Sequence, residues 1–281
     1  DLLKQEIDLK NEYTKLTAGA KISYEGKEYN LAGLGPFHSD VNRNIRKKSY
    51  EARYGWFKDN ENELDDIYDK LVKLRHEIAT TLGYDNFIEL GYYRMGRSDY
   101  GPEEVANFRR QIVDHVVPIV TKLYERKKEI LGLDELYFYD GINFKDGDPK
   151  PKGTPDELVK SAQEMYHELS PETGEFFDTM VNEELMDLVN RDGKRPGGFC
   201  TSFPKYDRPY IFSNFNGTDH DITVLTHEAG HAFQNYSSTH LPLVNYHWPT
   251  MEAAEIHSMS MEFFTWPWMK KFFKEDTEKF K

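Results

Sequence analysis

Ile222-Thr223-Val224-Leu225-Thr226-His227-Glu228-Ala229-Gly230-His231-Ala232-Phe233 decides how the chain is read. Ile222, Val224 and Leu225 lead into His-Glu-x-x-His, and Ala232 and Phe233 follow it, which predicts a helix apolar enough to be buried. Residues four apart on a helix share a face, so His227 and His231 can reach one ion. Zinc takes two neutral imidazole nitrogens and leaves room for a carboxylate and a water. Glu228 adjoins the first histidine, where its carboxylate can accept a proton from the attacking water without binding the metal; it is the candidate general base. An ordinary amphipathic helix could carry this spacing by chance. Two features speak against chance: buried ionisable groups need partners, and six of the ten histidines fall between His220 and His257, a density that a solvated surface does not require.

A catalytic zinc needs a third protein ligand. The next acidic stretch, Thr250-Met251-Glu252-Ala253-Ala254-Glu255-Ile256-His257-Ser258, offers Glu252 and Glu255, and the spacing from His231 permits either. Glu252, Glu255 and Glu262 share roughly one helix face. Those that do not bind the metal are expected to orient a ligand histidine, unless the three form only a solvated stripe. Upstream, Phe199–Phe203 and residues 210–215 read as two short strands, with Gly197-Gly198 permitting close backbone approach. His220, His240, His247 and His257 could donate to a substrate carbonyl, but structural hydrogen bonding is the readier explanation for each.

With Pro196-Gly197-Gly198-Phe199-Cys200-Thr201-Ser202-Phe203, Ile211-Phe212-Ser213-Asn214-Phe215-Asn216-Gly217-Thr218, the run from His227 through Gln234 and the run from Glu252 through Ser258 set side by side, the chain resembles the oligoendopeptidase F branch of the thimet oligopeptidase family. The upstream helices resemble it through weaker motifs. The resemblance implies a mainly α, helical metallopeptidase catalytic domain with a small antiparallel sheet beside the zinc-binding helix. In the family's Glu-x-x-Ser-x-x-x-Glu pattern the first glutamate is the metal ligand. Glu255, Ser258 and Glu262 match it in register, so the resemblance selects Glu255 over Glu252 and leaves Glu252 and Glu262 as supporting carboxylates. It further implies an edge strand beside the zinc to which an extended peptide could add, with Gly198 and Asn214 as candidate substrate contacts. It also implies a deep helical channel that admits short, unfolded peptides. Family members are considerably longer, and their oxyanion-stabilising tyrosines and histidine lie beyond the ligand glutamate. Here no tyrosine follows Tyr246. The expectation is therefore a fragment, truncated at both ends, whose missing C-terminal segment would be a partner.

A length of 281 residues with 38% hydrophobic and 30% charged content describes a globular chain able to bury a core. The formal net charge of −13 argues against nucleic acid. No apolar run approaches the ~20 residues needed to cross a bilayer. Cys200 is the only cysteine, which excludes an internal disulfide and fits the cytoplasm. Asn216-Gly217-Thr218 matches a glycosylation acceptor but reads as a turn.

Most of the sequence reads as helix. A first helix begins at Leu2 and a short hairpin turns at Glu25-Gly26. A long helical stretch capped by Ser39 or Asp40 breaks near Asp59-Asn60, a further helix opens at Gly101-Pro102, and Pro118 should kink it. Leu136-Tyr137-Phe138-Tyr139 reads as a strand, and residues 145–153 as a surface loop and the best linker. Thr154-Pro155-Asp156-Glu157 and Ser170-Pro171-Glu172 each open a helix. The C-terminal aromatics Phe263, Phe264, Trp266, Trp268, Phe272 and Phe273 should need cover. The expected organisation is one mostly helical catalytic region over 1–281, with the zinc site in 197–262. The expected activity is zinc-dependent endopeptidase action on oligopeptides. Its rivals are a zinc aminopeptidase, which would need an acidic anchor for a free amine, and a catalytically silent zinc- or peptide-binding fragment.

Overall fold

The computed structural model describes all 281 residues, and the chain divides into two compact units, 1–28 with 37–147 and 29–36 with 148–281. The first unit is built of helices α1 (Leu2–Ala18), α2 (Arg43–Asp59), α3 (Glu61–Thr81), α4 (Phe87–Arg94), α5 (Pro102–Gln111) and α6 (Val117–Leu131). The hairpin of β1 (Ile22–Tyr24) and β2 (Lys27–Tyr29) follows α1. Its turn places both Glu25 and Gly26 at positive φ, the backbone that matches the twist of paired strands. The break between α2 and α3 falls at Asn60, as expected from sequence. The cap of α2 is neither Ser39 nor Asp40 but Asn42, whose side chain accepts from the Asn44 N–H. Pro118 acts one turn earlier than a simple kink. Lacking an N–H, it cannot bond back to the preceding turn, and Ile112–Val116 relaxes into a π-helical turn that joins α5 to α6.

The expected strand at residues 136–139 is a turn instead. The Asp140 N–H donates to the Tyr137 carbonyl, and the Tyr137 N–H donates to the Asp140 carboxylate. The run of aromatics imitated a strand, but Tyr137 and Tyr139 serve Arg43, whose guanidinium lies 5.5 Å from both of their centroids. Two buried carboxylates pin this unit. Glu6 accepts from Arg75 and Arg94, and Asp140 from Arg43 and Arg46.

The second unit carries α7 (Pro155–Leu169), α8 (Pro171–Asn182), β3 (Met186–Val189), β4 (Phe199–Phe203), β5 (Arg208–Phe215), α9 (His220–Ser238) and α10 (Met251–Thr265). Both expected helix starts form. Thr154 and Glu157 exchange the two bonds of a capping box, and Ser170 caps α8. The expected strands pair antiparallel, Phe199 opposite Phe212 and Phe203 opposite Arg208. A third strand, β3, joins β5 in parallel, so that the order is β3-β5-β4 and β4 is an outer strand. Pro209, Ile211, Ser213 and Phe215 are buried in strict alternation along β5. Ile211 and Phe215 join a core with Tyr166, Phe176, Phe177, Ile222, Leu225 and Ala229. Asn216-Gly217-Thr218 is a turn, its first two N–H groups donating to the buried carboxylate of Asp221.

Phe272 and Phe273 are fully buried in the same core, and Trp266 and Trp268 pack against it, so these four find their cover within the unit. Phe263 and Phe264 do not, and stay 57% and 62% exposed on α10. The segment 29–36 also belongs here. Asn30 exchanges side-chain hydrogen bonds with Asn190, the Asn216 amide donates to the Ala32 carbonyl, and Leu31 and Leu34 are buried.

Candidate active site

The His-Glu-x-x-His stretch lies in the middle of α9, with Ile222, Leu225, Ala229 and Ala232 facing the core. The crossing of α9 with α10 depends on Gly230. A Cβ there would stand 2.7 Å from both the His257 carbonyl oxygen and the Ser258 Cα, so only glycine lets the backbones approach this closely. That approach carries Glu255 over the histidines.

The Glu255 carboxylate lies 3.2 Å from His227 Nε2 and 3.7 Å from His231 Nε2. The ligand atoms of the three residues all lie within 4.8 Å of one another, a spacing that could hold a metal ion. The two imidazoles meet edge to face, with centroids 4.9 Å apart. The other nitrogen of His227, Nδ1, is 2.7 Å from Glu262. With its proton there, the ring donates to Glu262 and turns the Nε2 lone pair toward Glu255. Ser258 donates to the Glu255 carboxylate at 2.7 Å and fixes its rotamer. Burial pushes His231 toward its neutral form, the form that can coordinate, and His227 acts in the same direction. Two imidazole nitrogens and one carboxylate oxygen, each supported from behind or by burial, make a donor set that suits zinc.

Glu228 is buried beside this cluster and outside it. Burial raises its carboxyl to about 7; His227 pulls it down, Glu255 pushes it up, and a backbone hydrogen bond from Cys200 lowers it. A carboxyl held in that range can both accept and return a proton near neutrality. Burial, and then the Glu228 charge, push the Cys200 thiol up and favour its protonated form.

Gly198 runs past the same carboxylate: a Cβ would lie 2.9 Å from Val224 and 3.6 Å from Glu228 Oε1. The Asn214 amide donates to the carbonyls of Arg195 and Gly197 and so holds the loop that presents Gly198. Glu252 is exposed at the start of α10 and is not among the three converging residues. His240 and His247 bond to the carbonyls of Ser237 and Leu241, the structural roles expected of them. Trp248, unremarked in the sequence, also reaches the site. Its ring centroid is 6.4 Å from that of His231, and its indole N–H donates to Ser202 on β4.

The family model for Peptidase family M3 matches residues 37–281. This chain belongs to peptidase family M3. It is 28% identical over 236 residues to an oligoendopeptidase F homolog of Borreliella burgdorferi, covering 80% of this chain and 38% of that protein. It is 26% identical over 258 residues to the chromosomal oligoendopeptidase F of Lactococcus lactis subsp. cremoris, covering 91% and 40%. The solved structure of PZ peptidase A with an inhibitor superposes with a TM-score of 0.97 at 55% identity, over 99% of this chain and 50% of that one. The M3 match and the oligoendopeptidase F relatives bear out the expected family, and the superposition bears out the mainly helical fold. The chain spans only about 40% of the length of the curated relatives and half of the solved one.

Proposed function

We propose that this chain carries the zinc-binding catalytic centre of a metalloendopeptidase that cuts short oligopeptides. The observation that carries this reading is the convergence of His227, His231 and Glu255 within 4.8 Å, with the buried carboxyl of Glu228 alongside. His227, His231 and Glu255 would hold the metal. Zinc, when bound, supplies Lewis acidity that activates a water and polarises the scissile carbonyl. Glu228 accepts the proton of the attacking water and hands it to the leaving amine, a double duty that a carboxyl near 7 suits. Glu262 keeps His227 in the coordinating tautomer, and Ser258 holds Glu255 in place.

The outer strand β4 pairs with no strand but β5, and beyond the Cys200 group that Glu228 takes its other edge can receive an extended peptide. Gly198 gives that peptide a side-chain-free passage past Glu228, and Asn214 contributes through the loop it secures. The names of the relatives support an oligopeptide substrate class. Net charge speaks against nucleic acid, and no helix is long and apolar enough to cross a membrane. A lone cysteine without a disulfide supports the cytoplasm as the setting. To the exposed apolar face of α10, with Ile256, Met259, Phe263 and Phe264, we assign the further polypeptide by which the relatives exceed this chain.

Metal analysis of unchelated protein, paired with His231→Ala, tests the centre. One zinc per chain, lost in the variant, is expected; metal-free protein, or zinc retained without His231, would end this reading. Cleavage of internally quenched peptides with blocked N-termini is the expected sign of an endopeptidase.

A further inference from the structure

We infer that Trp248 is a positioning residue that fixes the outer strand β4, and with it a bound peptide, against the metal-bearing helix; this rests on the peptidase reading above. Side chains alternate along a strand, so Cys200 and Ser202 share one face of β4. Through Cys200 that face meets α9, its side chain packing against the core that Leu225 and Ala229 share. At Ser202 the link is Trp248, whose indole N–H donates to Ser202 Oγ at 2.8 Å while its ring stands beside His231.

The indole is itself held. The preceding residue, His247, is only 5% exposed, its carbonyl accepts from the side-chain amides of Gln234 and Asn235 on α9, and its ring bonds to the Leu241 carbonyl. Trp248 is therefore a strut between three pieces: the outer strand, the helix that offers two of the three ligands, and the loop that leads into α10 and Glu255. A peptide added to the outer edge of β4 would inherit its distance from His231 through this strut. No other side-chain hydrogen bond is formed by Ser202 or by the Trp248 indole among those seen at this end of β4, so breaking the link isolates the effect.

The test compares Trp248→Phe, which keeps a ring beside His231 but loses the N–H, with Ser202→Ala, a mild change that guards against misfolding of the first. Binding of a fluorescently labelled, N-acetylated oligopeptide to the zinc-loaded protein is measured with zinc affinity and melting temperature. Each variant should bind peptide about tenfold more weakly, with zinc affinity within about twofold of the parent and melting temperature unchanged, and the double variant should be no worse than either single one. Wild-type peptide affinity in both variants, losses that multiply in the double variant, or no peptide binding by the parent would each overturn the inference. A purely structural role would instead lower the melting temperature. Failure of the zinc reading itself would show separately, as zinc retained by His231→Ala.

Discussion

Glu262 sits two turns beyond Glu255 on α10 and reaches His227 Nδ1 at 2.7 Å, so it would act on the proposed metal through the imidazole. Glu262→Ala is expected to weaken zinc binding roughly 10–100-fold, read by competition with a chelating dye. Glu228 touches neither ring in this way. Glu228→Gln should leave zinc affinity near that of the parent while lowering turnover by about 10²–10⁴-fold, measured on a quenched peptide at neutral pH. Retained turnover would assign the proton transfer to another group. At this scale the sequence was informative where chemistry follows local geometry. His227, Glu228 and His231 occupy adjoining positions on one helix, and that spacing alone brings them together. The choice between Glu252 and Glu255 was not legible from spacing, because both lie on the same helix and only the point of crossing with α9 decides which reaches the imidazoles. Trp248 gave no signal at all: it lies in an irregular loop, and its partners Ser202 and His231 are distant in the chain.

Between elements, the contact that matters most is the backbone crossing at Gly230. Gly230→Ala would drive a methyl group into the His257 carbonyl and the Ser258 Cα, and the helices would have to part. The expected result is a destabilisation of about 1–3 kcal/mol in denaturant melts, together with weaker zinc binding because Glu255 moves away with α10. Loss of stability with unchanged zinc affinity would show that the crossing does not set the ligand geometry. Helices and caps were largely readable for the same reason as the motif, since Thr154 with Glu157 and Ser170 with Thr173 are bonds between near neighbours. Strands were less so. β3 is four residues long and pairs with β5 in parallel across a long connection, leaving no local pattern to read. Residues 136–139 misled in the other direction, Tyr137 and Tyr139 serving a guanidinium rather than a ladder.

At the level of the molecule, the two units should answer differently to metal and to acid. Zinc is expected to increase amide protection within α9 and α10 while leaving α2 and α3 unchanged, as followed by hydrogen exchange; uniform protection would mean that the ion acts elsewhere. Acid should probe the first unit through Asp140. Burial raises its carboxyl, but hydrogen bonds from Arg43, the Tyr137 N–H and Arg46 outweigh this and hold it at about 2, below the ordinary 3.8. A depressed carboxylate lends its full stability above the ordinary value and loses it as pH falls through the depressed one. Melting temperature should therefore decline between pH values of about 4 and 2, and Asp140→Asn should flatten that decline while costing about 3–5 kcal/mol at neutral pH by leaving two guanidinium groups without their anion.

The threading of 29–36 into the unit completed by 148–281 has a practical consequence. A protease that nicks the chain in the loop at 145–153 would cut one covalent connection, yet the upstream product would still own the strip that carries Asn30, Leu31 and Leu34. The two pieces should travel together on a sizing column until denaturant pulls that strip free, as a bolt holds two plates after the weld is gone.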